Sequence, residues 1–171
     1  ELVIEDDSIG NDHAGILQHL GSRDFKSGKK IYLSHCQNCH GANGNEPTMP
    51  LARAFGTEPL KNGSDPYSMF MTLTKGRGLM AAVQYLSPKE RYQVVHYIRE
   101  ALIKPSNPQY NAIDAAYLAE LPKGTSLGDH TEYKPRDFGP ALGSQIGTQV
   151  NNALTIKLDE TTTASYDLHR M

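Results

Sequence analysis

The chain has two cysteines among its 171 residues, three apart in Cys36-Gln37-Asn38-Cys39-His40. This spacing limits what the chain can fold around more than any other feature. One short-range pair cannot staple a fold, so the chain is not a disulfide scaffold. A zinc site wants four ligands, and neither a second cysteine pair nor an H-x-x-x-H follows. A redox-active C-x-x-C follows a strand in a βαβ pattern, and nothing before Cys36 reads as a strand. The motif that fits is C-x-x-C-H, the attachment signature of a c-type haem. Thiols three apart at a helix end share one face, where each can add to one haem vinyl group. His40, the next residue, is then placed to bind the iron through one ring nitrogen. Its other nitrogen should donate to a backbone carbonyl, which fixes the tautomer.

The flanking residues supply helices. Ser22 or Asp24 can cap a helix in which Phe25, Gly28, Ile31 and Tyr32 recur at helical spacing up to Cys36. Asp65 can cap a shorter helix over 66–74, with Tyr67, Phe70 and Leu73 inward. Gly76-Arg77-Gly78 breaks it and delivers Leu79-Met80. Ser87-Pro88-Lys89-Glu90 is a capping box with proline at the first helical position. It opens a helix carrying Tyr92, Val94, Val95, Ile98 and Leu102, ended by Pro105.

Charge is unevenly spread. The net formal charge of −2 combines residues 1–21, with five acids and no base, residues 22–104, with 12 bases and 6 acids, and residues 105–171, with 5 bases and 8 acids. The balance excludes a wholesale basic nucleic-acid binder and an acidic-tail protein. Hydrophobic residues make up 38%, which suits a compact core over part of the length. No apolar run approaches a membrane span, and no signal peptide is visible in this chain. A chain opening Glu1-Leu2-Val3 is compatible with a processed, exported product.

Residues 22–104 resemble a class I, mono-haem cytochrome c. The resemblance rests on the N-terminal helix, the C-x-x-C-H, a Pro50-Leu51 loop, the short helix, Lys75-Gly76-Arg77-Gly78-Leu79-Met80, and a last helix ending His96-Tyr97-Ile98-Arg99-Glu100. It implies an all-α fold of three main helices around one covalently bound haem c, with Gly28 and Tyr32 meeting Tyr97 where the outer helices cross. It assigns Cys36 and Cys39 to the thioethers, His40 to the iron, and the Pro50 carbonyl to the second His40 nitrogen. Met80 corresponds to the sixth ligand, and Tyr67 joins Pro50 in the haem pocket. Met49, followed by Pro50, is the rival, because Met80 is followed by Ala81, but Met49 lies only nine residues after His40. Met69 and Met71 sit inside the short helix and Met171 ends the chain. His96, His35, His13, His19, His130 and His169 read as packing or surface residues.

His/Met ligation leaves no open coordination position, so the function expected is electron transfer rather than catalysis. The basic segment (Lys26, Lys29, Lys30, Lys61, Lys75, Arg77, Lys89, Arg91) would steer a redox partner with an acidic docking surface. Neither nucleic acid nor a transmembrane segment is expected.

The remainder divides further. Residues 1–21 read as an acidic arm, and 105–140 as a Pro/Gly-rich linker with a short helix near Ile113–Leu121. Residues 141–171 carry β-alternation (Ile146, Thr148, Val150, then Leu154, Ile156, Leu158) around Asn151-Asn152, a β-hairpin that would begin a further domain. The runs Gly76–Met80, Glu90–Glu100, Lys104–Pro108, Leu121–Gly124 and Arg136–Pro140 are similar to the cytochrome domains of large secreted multidomain proteins of planctomycetes and verrucomicrobia. That resemblance implies a periplasmic or secreted domain or subunit of a larger redox protein. Two other readings stay open: a haem sensor with a labile sixth ligand, and the electron-entry subunit of an enzyme whose catalytic part lies elsewhere.

Overall fold

The computed structural model describes residues 9–129 and the backbone of three short strands beyond them. The chain divides into two units, Glu1–Thr131 and Glu132–Met171. In the first, α1 (His13–His19), α2 (Ser22–Ile31), α3 (Gln37–His40), α4 (Pro66–Lys75), α5 (Pro88–Tyr97) and α6 (Ala115–Glu120) form an all-α fold without strands among the described residues. None of the described helices is long and apolar enough to cross a membrane. In the second unit, β1 (Thr148–Val150), β2 (Ala153–Lys157) and β3 (Thr163–Asp167) pair antiparallel in that order. Asn151 and Asn152, where the sequence places a hairpin turn, lie outside the described residues, as do His130, His169, Met171, 1–8 and 130–147.

Each long helix has a local reason to start. Asp65 caps α4 by accepting from Ser68 N at 3.0 Å, with Pro66 in the first turn. Ser87 and Glu90 exchange bonds at the head of α5: Glu90 N donates to Ser87 Oγ at 3.2 Å and Ser87 N to Glu90 Oε2 at 2.8 Å. The cap of α2 differs from expectation. Gly21 is the cap residue, and the Asp24 carboxylate accepts its N–H at 3.0 Å, because Ser22 is already helical.

Helices α2 and α5 cross at Gly28. A Cβ there would run into the Gln93 carbonyl, so only glycine lets the two backbones approach this closely. Tyr32 and Tyr97 pack beside the crossing with ring centroids 5.4 Å apart. After Ile31 the helix widens into a π-helical turn, Tyr32–Cys36. Such a turn holds an extra residue and rotates the next residues around the helix axis. Within the C-x-x-C-H segment Cys36 stays half-buried against the cluster that holds Tyr32, while Cys39 is exposed. A second π-helical stretch, Ile98–Ile103, extends α5.

The core has two parts. One gathers Tyr32, Phe55, Leu73, Val94, Val95, Ile98 and Leu102, with Met69 of α4. The other sets Ile16 of α1 against Phe70 and Tyr92, whose rings stack at 4.6 Å. Burying each such side chain contributes about 1.5–3 kcal/mol.

The acidic arm and the linker do not behave as their composition suggests. Asp12 caps α1 by accepting from Gly15 N, and α1 packs on α5 and α6. His13 is fully buried, its Nδ1 at 2.7 Å from the Tyr92 hydroxyl. Residues 105–129 pack back as a strap: Asn107 Nδ2 donates to the Phe55 and Glu58 carbonyls at 2.6 and 3.0 Å. Tyr117 donates to Asp65 Oδ1 at 2.8 Å and accepts from Tyr67 N at 2.9 Å. The strap meets the arm where Thr125 N and Ser126 N both donate to the Gly10 carbonyl at 3.0 Å. The described residues of the arm and the strap thus belong to the same compact unit as the three long helices. Polar side chains that look solvated in sequence are spent on buried carbonyls of the helical unit.

Candidate haem site

The one-turn helix α3 ends at Gly41, where φ is +78. Glycine is required, since a Cβ would also collide with the Glu46 backbone. The buried Tyr32 hydroxyl donates to the Gly41 carbonyl at 2.6 Å. The Cys39 carbonyl accepts from Thr48 N at 3.0 Å and Met49 N at 3.3 Å, which pins that loop beside the motif.

His40 is half-buried. Its Nδ1 donates to the Arg53 carbonyl at 3.2 Å, and its ring stacks on Phe55 at 4.7 Å. This corrects the assignment to the Pro50 carbonyl: Pro50 is exposed, and the loop reaches His40 three residues later, at Arg53. With Nδ1 engaged, Nε2 is the nitrogen left for a metal. Burial lowers the His40 pKa, against the carbonyl bond, and so favours the neutral, ligating imidazole. Burial, with Cys39 nearby as a smaller cause, pushes the Cys36 thiol up to about 11, while Cys39 is exposed.

Met80 closes a tight turn in which Arg77 N donates to the Met80 carbonyl at 2.8 Å and Met80 N to the Arg77 carbonyl at 2.9 Å. Gly76 and Gly78 supply the positive φ values, +71 and +57. The half-buried Met80 packs against the same apolar cluster as Cys36. The other described methionines lie elsewhere. Met49 is exposed beside Cys39, Met69 is buried in α4, and Met71 packs against the second cluster. Tyr67 also packs there, its ring 5.0 Å from that of His13, so it does not join Cys36 and Met80.

The residues present fit a haem. Two free thiols and one imidazole nitrogen come from a single turn, and a thioether comes from a separate loop. Met49, Leu51 and Leu79, on the loops beside them, are 42%, 71% and 75% exposed, apolar surface of the kind a flat apolar group covers. Arg53 Nε is buried and, among the described residues, has no hydrogen-bond partner. It is a donor suited to a carboxylate such as a haem propionate.

Among the bases expected to steer a partner, Arg91 is fully buried and Lys89 is paired with Asp129 at 2.5 Å. Lys26, Lys29, Lys30, Lys61, Lys75 and Arg77 are exposed. Sequence reasoning missed the Arg53 carbonyl and the buried Arg91. The spacing 91, 94, 95, 98 would have revealed Arg91, since it puts the arginine on the apolar stripe of α5.

Residues 23–98 match the family model described as cytochrome C oxidase, cbb3-type, subunit III. No curated protein and no solved structure matches the chain. The matched segment takes in the C-x-x-C-H, Met80 and both crossing helices. Residues 23–98 are thus similar to a mono-haem cytochrome c domain, and the match supports an electron-carrying module with a covalently bound haem c.

Proposed function

We propose that the chain carries electrons through one haem c, attached at Cys36 and Cys39 and ligated by His40 and Met80. The observation that carries this reading is the packing of Met80 and Cys36 against one apolar cluster. Met80 is also held by a backbone turn of its own, whereas exposed Met49 is tied to the Cys39 carbonyl. When bound, the haem supplies a one-electron Fe(III)/Fe(II) couple. The Met80 thioether is a soft ligand that favours the reduced ion and raises the potential relative to two histidines. The bond from His40 Nδ1 to Arg53 holds the imidazole in one tautomer and orientation. Arg53 Nε is the proposed donor to a propionate. With His40 and Met80 both bound to the iron, no coordination position would be left for a small molecule, which favours transfer to a docked partner.

The exposed lysines and Arg77 would draw in a redox partner with an acidic docking surface. By its resemblance to multidomain cytochromes, the chain would act as a domain or subunit of a larger periplasmic or secreted redox protein. Two measurements test the reading. Intact mass should exceed that of the chain by one haem, and a mass equal to the chain alone overturns covalent attachment. The oxidised protein should show a far-red Met-to-Fe(III) charge-transfer band that vanishes in Met80→Ala. Absence of the band, with ready binding of cyanide or CO, would favour the labile-ligand sensor instead.

A further inference from the structure

The loop that carries Met80 is closed at its base by a buried arginine from another helix. Residues 76–87 leave the end of α4 and return to the start of α5. Two hydrogen bonds join the loop's return limb to α4: Val83 N donates to the Leu73 carbonyl at 2.8 Å, and Gln84 Nε2 to the Thr74 carbonyl at 3.1 Å. Arg91 completes the closure from α5. Its Nε donates to the Leu86 carbonyl at 3.1 Å, and one terminal nitrogen donates to Thr74 Oγ1 at 2.6 Å. Thr74 Oγ1 in turn donates to the Phe70 carbonyl at 2.9 Å, and the guanidinium lies 4.9 Å from the Phe70 ring centroid. Arg91 is fully buried and Thr74 is 1% exposed. Burying a guanidinium is costly unless its donors are used. Here they are used on the two ends of one loop, and a planar fork with several donors can hold both at once where an ammonium holds a single point.

We infer that Arg91, through Thr74 and Leu86, is a positioning residue that sets how firmly Met80 is held at the iron. The inference rests on the His40/Met80 reading. Opening the base frees the limbs of the loop, and Met80 sits on the tip between them. Leu73, next to Thr74, packs in the same cluster as Met80, so the closure also couples the loop to the apolar wall behind it.

The test uses the haem-loaded full chain with Thr74→Val, which keeps the shape but removes the oxygen, and Arg91→Lys, which keeps the charge but loses the fork. Val95→Ala, a cavity variant in the same cluster outside the loop, is the control for general destabilisation. The readout is the apparent binding constant of imidazole, which competes with Met80, tracked by loss of the far-red band. Thr74→Val and Arg91→Lys should raise it about tenfold, the factor expected for one lost buried hydrogen bond to a charged group. Val95→Ala should leave it within about twofold even where its melting temperature falls as far, since it removes no hydrogen bond at the base of the loop. A band present in the native protein, with imidazole affinity unchanged in both loop variants or raised equally in Val95→Ala, overturns the positioning role alone. A native protein without the band overturns the ligation reading and this inference together.

Discussion

The Tyr32 hydroxyl donates to the Gly41 carbonyl at 2.6 Å, so the buried stem of the first long helix grips the residue that follows His40. Tyr32 is fully buried, and burial, with smaller contributions from Cys36 and Tyr97, raises its pKa far above the ordinary value. The hydroxyl therefore stays a donor throughout the usable pH range. Tyr32, at the start of the widened turn Tyr32–Cys36, remains in the core, while Cys36 is half-buried against the same cluster and Cys39 is exposed. One helix thus serves the core with Tyr32 and, a turn later, presents the residues of the proposed haem attachment.

Tyr32→Phe should fold and destabilise the protein by about 1–3 kcal/mol, because the Gly41 carbonyl loses its buried partner. Urea unfolding of the haem-loaded protein checks it, with a lower midpoint and an unchanged slope expected. An unchanged midpoint would mean that the carbonyl finds water instead.

Gly28→Ala places a methyl group against the Gln93 carbonyl and the Tyr97 Cβ at the helix crossing. Overpacking of this kind costs about 1–3 kcal/mol. Lys29→Ala, one residue away on the exposed side, should leave the thermal midpoint nearly unmoved. Equal shifts in the two variants would argue against a tight crossing.

Asp65 couples the fold to acid. Burial acts to raise its pKa, but hydrogen bonds from Ser68 and Tyr117 outweigh it and the net shift is downward. A carboxylate with a depressed folded value contributes stability that is present above its ordinary value of 3.8 and is lost as pH falls through the folded value. Asp65→Asn should therefore lower stability at neutral pH and flatten its decline below pH 3.8. Denaturant midpoints measured across that range decide the matter, and parallel pH curves for variant and native protein would remove Asp65 from the account.

Asn107 joins the strap to the loop behind His40. Asn107→Ala leaves the Phe55 and Glu58 carbonyls without their amide donor and should cost about 1–3 kcal/mol. Since Phe55 stacks on His40, hydrogen exchange should quicken over residues 54–60 before it quickens in α5. Uniform quickening would show that the strap supports the whole unit rather than this loop.

The features legible in the chain are short in range. The Cys36–His40 spacing, the Ser87–Glu90 box and the Asp65-Pro66 start each involve residues within one helical turn, where backbone geometry alone dictates which groups meet. Gly28 is legible for a related reason, since a glycine at helical spacing among larger residues marks a close approach. The Arg53 carbonyl lies 13 residues from His40, and Pro50 stands in its place in the sequence reading because loop geometry has no period to read. The strap reads as a linker on its prolines and polarity. Those properties describe an unbound segment well, but they do not show that Asn107 and Tyr117 find buried acceptors across the fold.

The sequence by itself determined that Cys36, Cys39 and His40 stand at the spacing a covalent haem requires, because thioether and imidazole chemistry needs those atoms within a single turn. It also determined the starts of α4 and α5. Only the tertiary structure decided what His13 does 79 residues from Tyr92, and what Arg91 does 17 residues from Thr74. Both side chains are polar and sit in apolar surroundings, where the cost of burial forces each to a specific partner. Which partner that is depends on how α1, α4 and α5 pack, and that is a property of the assembled helices rather than of any stretch of chain.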